Sequence, residues 1–271
     1  TSTSVNQIQN DTLFGHPKGL FYLFFAELWE RFSFYGMRAL LTLYMVNVIF
    51  LELVERDFAA AAVYASYGSL VYASTLVGGR ISDVILGFRK SIFLGGILMA
   101  LGHFVLAIEN DYAFFLALGF IVIGNGFFKP NITSIISEMY KDLPEKKDGA
   151  YTIFYMGVNA GAFLGMLLCG YLAEKLGWSY GFGLAGVFML LGTLQFWLSK
   201  PLFGTIGDAP SKVHEVELPQ NINEKSATSN ESPDEEPANP FTMLDKILIA
   251  VSSVIGFAYL INDPMSKIGG T

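Results

Sequence analysis

Long apolar stretches are the feature that most constrains how this chain can fold. Several are near or above the roughly 20 residues that a helix needs to cross the hydrocarbon core of a bilayer. Their approximate limits are 18–50, 58–79, 91–109, 112–139, 150–173 and 180–199. Only 15% of the 271 residues are charged, against roughly 25% in soluble domains. The sequence therefore predicts an all-α integral membrane protein containing a six-helix bundle.

The chain divides into four predicted regions. Residues 1–17 are polar and form an N-terminal tail, and residues 18–200 form the six-helix transmembrane bundle. Residues 201–240 are rich in Pro, Ser, Asn and Glu, which predicts a disordered acidic linker. A further apolar run at 241–263 predicts an additional transmembrane helix. This organisation is that expected of one half of a larger protein.

Lysine and arginine are distributed unevenly between the two ends of the predicted helices. One end carries Lys18, Arg80, Arg89, Lys90, Lys141, Lys146, Lys147 and Lys200. The other end has Arg56 and Lys175. Because cytoplasmic loops are enriched in Lys and Arg, we expect the N-terminus and the linker to be cytoplasmic, in a multi-pass protein of the cell membrane. The net charge of -7 excludes a basic nucleic-acid-binding surface.

Ionisable residues occur inside two of the predicted membrane helices. They are Glu27, Glu30, Arg31 and Arg38 in the first helix and Lys129, directly before Pro130, in the fourth. Each charge costs about 2.5–3.5 kcal/mol at the centre of a membrane helix. Successive spacings of four, four and three residues place four side chains on one face of the helix: Glu27, Arg31, Tyr35 and Arg38. We expect this face to border a cavity and Lys129 to face Glu27 or Glu30; a purely structural ion-pair network is the alternative.

Two other helices carry polar aromatic residues at helical spacing. These are Tyr64, Gly68 and Tyr72 in the second helix and Tyr151, Tyr155 and Asn159 in the fifth. Such tyrosines can line a cavity, and they can equally serve as interface anchors or core residues. The pattern alone leaves both interpretations open.

A motif rich in glycine and charge lies between the second and third helices, in GGRISDVILGFRK at 78–90. Its spaced residues are Gly79, Asp83, Gly87, Arg89 and Lys90. Glycine permits a tight turn, and Asp83 can hold Arg89 or cap a helix end in one conformation and release it in another. This spacing resembles the loop signature of major facilitator transporters.

Together with this loop, three further stretches resemble the proton-coupled oligopeptide transporter family. They are ELWERFSFYGMR at 27–38, GNGFFKPNITS at 124–134 and DGAYTIFYMGVNAGAFLG at 148–165. The resemblance covers about 18–200 and implies the N-terminal six-helix bundle of a major facilitator fold. It also implies that 241–263 begins an inter-bundle helix and that the C-terminal six-helix bundle is absent from this chain.

The resemblance implies roles for individual residues. The implied proton-coupling residues are Glu27, Glu30, Arg31 and Lys129. The implied substrate-binding residues are Arg31, Tyr35, Arg38, Tyr72, Lys129, Tyr155 and Asn159. The implied gating loop comprises Gly79, Asp83, Gly87, Arg89 and Lys90. The second-helix histidine of some members is absent, with Ala65 near its place, so coupling is expected to rest on the first-helix glutamates.

The expected function is proton-coupled symport of di- and tripeptides by alternating access. The proton is the coupling ion, and no cofactor or metal is expected. Expected partners are the peptides, protons, the lipid bilayer and the C-terminal bundle of the same protein, with no nucleic acid. A family member that carries another small anion, such as nitrate or an organic acid, is the alternative. An integral-membrane enzyme is a second alternative, although the apolar segments contain no phosphate loop or nucleophile–base pair.

Overall fold

Six long helices account for most of the chain that the structure describes. The computed structural model describes residues 12–209. The helices are α1 (Lys18–Tyr44), α2 (Arg56–Ile81), α3 (Phe88–Leu106), α4 (Asp111–Met139), α5 (Pro144–Leu176) and α6 (Trp178–Leu198). π-Helical turns at Met45–Ile49 and Ser82–Leu86 extend α1 and α2. All six helices are long and apolar enough to cross a membrane, which confirms the predicted fold class for this part of the chain.

Two helices are longer than the apolar runs that predicted them. The second run ends at 79, but the helix continues through the π-helical turn to Leu86. The fifth run begins at 150, whereas α5 begins at Pro144, because proline suits the first turn of a helix. Polar residues at these ends are helical although they lower the local hydropathy.

Two short segments beside the bundle differ from the prediction. The end of the predicted tail forms an antiparallel hairpin, β1 (Thr12–Leu13) with β2 (His16–Pro17). His16 Nδ1 lies 2.8 Å from the Tyr140 hydroxyl, which ties the hairpin to the end of α4. A 3₁₀ turn at Lys200–Phe203 follows α6.

The prediction of disorder from residue 201 onward is wrong for residues 201–209. Phe203, Ile206 and Ala209 are buried, and Phe203 stacks on Phe196 of α6 with ring centroids 5.8 Å apart. The polar composition of the whole 40-residue stretch concealed this short apolar segment. The rest of the predicted linker, the helix at 241–263 and the first 11 residues lie outside the described residues.

Buried apolar side chains form two clusters, one in each half of the bundle. On α1, one cluster ends at Ala26 and the other begins at Phe32. On α4, the corresponding limits are Ile121 and Phe128. The charged segment 27–31 of α1 therefore lies at mid-span, with an apolar cluster on either side.

Glycines bring α5 into backbone contact with this charged part of α1. Gly157, Gly161 and Gly165 recur every four residues and face α1, a spacing typical of membrane helix packing. A Cβ atom at Gly157 would lie 2.9 Å from the carbonyl oxygen of Phe24, and one at Gly161 would lie 3.0 Å from the Cβ atom of Arg31. The backbone of α5 therefore supports the segment that carries the buried charges.

Gly161→Ala should separate α1 from α5 and destabilise the protein. Its added methyl group would collide with the α1 backbone at Leu28, and overpacking of this kind costs about 1–3 kcal/mol. Gly170→Ala on the same helix is the matched control, because a Cβ atom there meets no atom of residues 12–209 within 4 Å. Thermal melting of the detergent-solubilised protein should show a lower midpoint for Gly161→Ala alone. Equal midpoints for the two variants would contradict the packing described.

Candidate substrate and proton site

Arg31 joins the two buried carboxylates of α1. Its Nε atom lies 2.6 Å from Glu27 Oε1 and 2.8 Å from Glu30 Oε2. The exposed fractions of Glu27, Glu30 and Arg31 are 2%, 0% and 6%. Nε carries a single hydrogen atom, which it donates to Glu27, so its contact with Glu30 is an ion pair without that hydrogen bond. These three residues, the carboxylate–arginine triad, carry a net charge of about -1 when both carboxyl groups are ionised.

Asn125 on α4 is the neutral neighbour of the triad. Its Nδ2 atom donates to Glu30 Oε1 at 3.5 Å, and its side chain is buried. Asn125 was not among the predicted site residues. A signal for it existed, because it precedes Lys129 by four positions and so shares one face of α4 with that lysine.

A narrow pocket opens beside the triad between α1, α2 and α4. It is lined by Arg31, Phe34, Tyr35, Arg38, Tyr67, Gly68, Val71, Tyr72 and Lys129. Predicted site residues from three helices therefore meet here: Arg31, Tyr35, Arg38, Tyr72 and Lys129. Among the described residues, the lining contains three cationic side chains and no anionic one. We refer to it as the cation pocket.

Tyrosine rings hold two of the pocket's cations. Arg38 Cζ lies 5.0 Å from the ring centroid of Tyr64, and Arg38 Nε also donates to the Tyr64 hydroxyl. Lys129 Nζ lies 4.9 Å from the ring centroid of Tyr72. A cation–π contact contributes from about 0.5 to 2 kcal/mol without neutralising the cation. The positive charges therefore remain available to an anion.

Lys129, which was expected to face Glu27 or Glu30, lies within electrostatic reach of Glu30 but forms no direct ion pair with either carboxylate among the described residues. Within the described residues, no ion pair of 4.0 Å or less joins Lys129 to Glu27 or Glu30, whereas Arg31 contacts both. Arg31 lies on the same helix as the two carboxylates and contacts them directly, whereas Lys129 lies on α4. Lys129 lies instead against Tyr72.

The predicted binding residues of α5 lie outside the cation pocket. Tyr155 is 54% exposed, and Asn159 is exposed with its Nδ2 atom donating to the Tyr155 carbonyl oxygen at 3.1 Å. Each residue is two positions from Gly157, and a step of two residues corresponds to a rotation of about 200° around the helix axis. Because the glycine face of α5 packs on α1, the side chains of Tyr155 and Asn159 point away from α1. Their role in substrate binding stays a prediction.

Arg89 pairs with Asp208 in this structure, whereas the loop motif offered Asp83 either as a partner of Arg89 or as a helix cap. The Arg89 guanidinium donates to the Asp208 carboxylate and, through Nη1, to the Gly204 carbonyl oxygen at 2.6 Å. The backbone N–H of Arg89 donates to the Gly207 carbonyl oxygen at 3.0 Å. Asp83 is exposed in the turn that follows α2. Part of the buried guanidinium is therefore bound by a segment that composition had assigned to the linker, whereas the Nε atom has no hydrogen-bond partner among the described residues.

Residues 200–209 form a clasp across the end of the bundle where α3 begins and α4 ends. The Gly207 N–H donates to Glu138 Oε2 on α4 at 3.2 Å. Gly87 has φ of +74°, and a Cβ atom there would lie 2.6 Å from the Ala209 nitrogen. Both the backbone conformation and the close contact therefore require glycine at 87.

The two other residues of the loop motif make fewer contacts. Gly79 packs against Pro130 of α4, with a Cβ atom at 79 lying 3.7 Å from the proline Cβ. Lys90 is exposed at the start of α3. A gating role for the motif stays a prediction.

Solved structures identify the class of fold. The crystal structure of a peptide transporter POT in complex with sulfate matches with a TM-score of 0.70 and 35% sequence identity, covering 97% of this chain and 51% of that one. The chain therefore forms the N-terminal half of a major facilitator fold. The family model described as PTR2, POT family, matches residues 89–260. The chain belongs to the POT family.

Curated relatives agree with this assignment. The chain is 39% identical over 229 residues to the uncharacterized transporter YclF of Bacillus subtilis, covering 82% of this chain and 44% of that protein. It is 43% identical over 201 residues to the peptide transporter YePEPT of Yersinia enterocolitica, covering 72% of this chain and 39% of that protein. The chain thus spans less than half the length of these relatives.

Asp208→Ala should open the clasp and destabilise the protein. It leaves part of the buried Arg89 guanidinium without an acceptor, which costs about 1–3 kcal/mol. Asp83→Ala is the control, because it removes an exposed carboxylate from the same end of the bundle. We expect a lower melting midpoint for Asp208→Ala and a midpoint near wild type for Asp83→Ala. A loss confined to Asp83→Ala would restore the pairing that the motif suggested.

Proposed function

We propose that the protein containing this chain is a symporter that couples proton movement to the uptake of di- and tripeptides by alternating access. The observation that carries the proposal is the position of Arg31. This residue contacts both buried carboxylates and also lines the cation pocket. One side chain therefore connects a site that can bind a proton with a site that can bind an anion.

The cation pocket suits the carboxylate of a peptide. Arginine presents a planar fork that matches a carboxylate with two parallel hydrogen bonds, and such bonds are stronger in a poorly hydrated cavity. Counting the charges, Arg31, Arg38 and Lys129 against Glu27 and Glu30 leave about one net positive charge. The amino group of the peptide then requires an acidic partner outside the described residues, which we assign to the C-terminal bundle.

The triad supplies the coupling. With both carboxyl groups ionised it buries a net negative charge, and one proton makes it neutral. Glu27 Oε2 is buried and accepts no hydrogen bond or ion pair from the described residues, so it offers a place for that proton. A protonated carboxyl group holds Arg31 less strongly, which leaves the guanidinium freer to bind substrate. Such an exchange of ion pairs biases the balance between two conformations.

The relatives support this proposal. One match is named a peptide transporter, and the matched crystal structure is a peptide transporter with bound sulfate, which is an anion. Transport of another small anion, such as nitrate or an organic acid, is compatible with the same pocket. The two functions differ in whether a dipeptide competes for the site.

Dipeptide uptake into proteoliposomes tests the proposed function. We expect the full-length protein to accumulate a radiolabelled dipeptide when an inward proton gradient is imposed. A C-terminally amidated dipeptide should compete at least tenfold less well, because it lacks the charge that the cation pocket binds; tenfold corresponds to about 1.4 kcal/mol. In Arg38→Ala this difference should shrink. Uptake of nitrate without any competition by dipeptides would favour the alternative function.

Glu27→Gln and Glu30→Gln should each abolish uptake driven by the proton gradient while leaving some peptide counterflow. Glutamine preserves the shape of the side chain but cannot bind the coupling proton, whereas counterflow requires no net proton movement. Glu174→Gln is the control, because Glu174 is exposed near the end of α5. Wild-type gradient-driven uptake in both triad variants would show that the carboxylates do not couple transport.

We further propose that the clasp end of the bundle is cytoplasmic, from the excess of Lys and Arg there. Cysteines introduced by Glu52→Cys, between α1 and α2, and by Lys141→Cys, between α4 and α5, report on the two ends. Both positions are exposed, and the native Cys169 is buried. A membrane-impermeant maleimide added to intact cells should label the first variant above the parent background and the second only after permeabilisation. The opposite result would reverse the orientation.

A further inference from the structure

The hydroxyl of Tyr67 has no hydrogen-bond partner among the described residues. Tyr67 lies on α2, is 4% exposed, and lines the cation pocket. Leaving a buried hydroxyl unpaired is costly, and most buried polar groups in proteins have a partner. A ligand bound in the pocket would supply the missing hydrogen-bond acceptor for the Tyr67 hydroxyl.

The surroundings of Tyr67 favour an anionic partner. Three cationic residues line the same pocket and attract an anion: Arg31, Arg38 and Lys129. The carboxylate of Glu30 also lies within electrostatic reach of the hydroxyl and opposes this attraction, but the cations outnumber it. The Tyr64 hydroxyl already accepts a hydrogen bond from Arg38, but no such bond reaches Tyr67. An anion drawn toward the pocket's cations would therefore come within reach of an unused hydroxyl donor.

The chemistry of a carboxylate fits a mixed set of donors. Its two oxygens offer about four acceptor positions, so it can bind guanidinium or ammonium groups and a hydroxyl at the same time. The cations attract any anion, whereas a neutral donor at a set position favours an anion whose oxygen lies at the right place. An anion that leaves this donor unpaired binds less tightly, which is the source of the discrimination.

We propose that Tyr67 donates a hydrogen bond to the substrate carboxylate in the cation pocket and is a specificity-determining residue of that site. This inference rests on the proposed function and adds a residue that neither the charged stripe nor the family motifs identified. It predicts that the hydroxyl contributes to binding of peptides with a free carboxylate and contributes nothing to stability without substrate.

The chain contains a matched control in Tyr44. Its hydroxyl is also buried and lacks a hydrogen-bond partner among the described residues. Tyr44 packs against the rings of Phe114, Trp178 and Phe182 and does not line the cation pocket. Tyr67→Phe and Tyr44→Phe therefore remove the same group from two buried positions, only one of which borders the pocket.

The test measures binding of a free-acid dipeptide and its C-terminal amide to the full-length wild type and to both variants. Tyr67→Phe should weaken binding of the free acid about tenfold, as expected for a hydrogen bond to a charged group. Its affinity for the amide should stay within about twofold of wild type, since the amide lacks the charge that strengthens this bond. Tyr44→Phe should bind both peptides as wild type does.

Three outcomes would overturn the inference while leaving the proposed function intact. In the first, Tyr67→Phe binds the free acid as tightly as wild type. In the second, it loses affinity for acid and amide equally, which indicates a change in pocket shape. In the third, it melts well below Tyr44→Phe without peptide, which indicates a protein partner for the hydroxyl. A wild-type protein that binds neither peptide would instead overturn the proposed function, and this inference with it.

Discussion

The ion pairs of Arg31 with Glu27 and Glu30 are the interaction on which the rest of this half-bundle depends. Charges at mid-membrane are tolerated only when they are paired or face a polar cavity, and here both conditions are met. Apolar clusters lie on either side of the triad along α1. The glycines of α5 allow the α5 backbone to pack closely against the same segment of α1, so the charges lie on a tightly packed helix.

The same arrangement places a cavity where an anion can bind. Arg31 belongs to both the triad and the pocket, while Arg38 and Lys129 lie against tyrosine rings that leave their charges unneutralised. A site made only of salt bridges would have no positive charge left for a ligand. Because one guanidinium serves two partners, a change of protonation at the carboxylates alters what the pocket can hold, which is the physical basis of the proposed coupling.

A second buried arginine is bound in a different way at the end of the bundle, where its Nε atom has no hydrogen-bond partner among the described residues. Arg89 takes backbone carbonyl oxygens and one partly exposed carboxylate from residues 200–209. Such contacts come from a segment that follows all six helices in the chain. The two arginines thus find their partners in different ways, Arg31 within its own helix and Arg89 in a distant loop.

Within the described residues, the sequence by itself determined the six membrane helices, because helix length and hydropathy are local properties of the chain that decide insertion into a bilayer. It also determined that Glu27 and Arg31 share a helix face, since the helical repeat follows from backbone geometry. Only the tertiary structure decided the partners of Lys129 and Arg89, the separation of Tyr155 from the cation pocket, and the place of Tyr67 beside the charges. These depend on the rotation of each helix about its axis and on the distances between helices, which arise from packing across the whole bundle and leave no periodic signal in the chain.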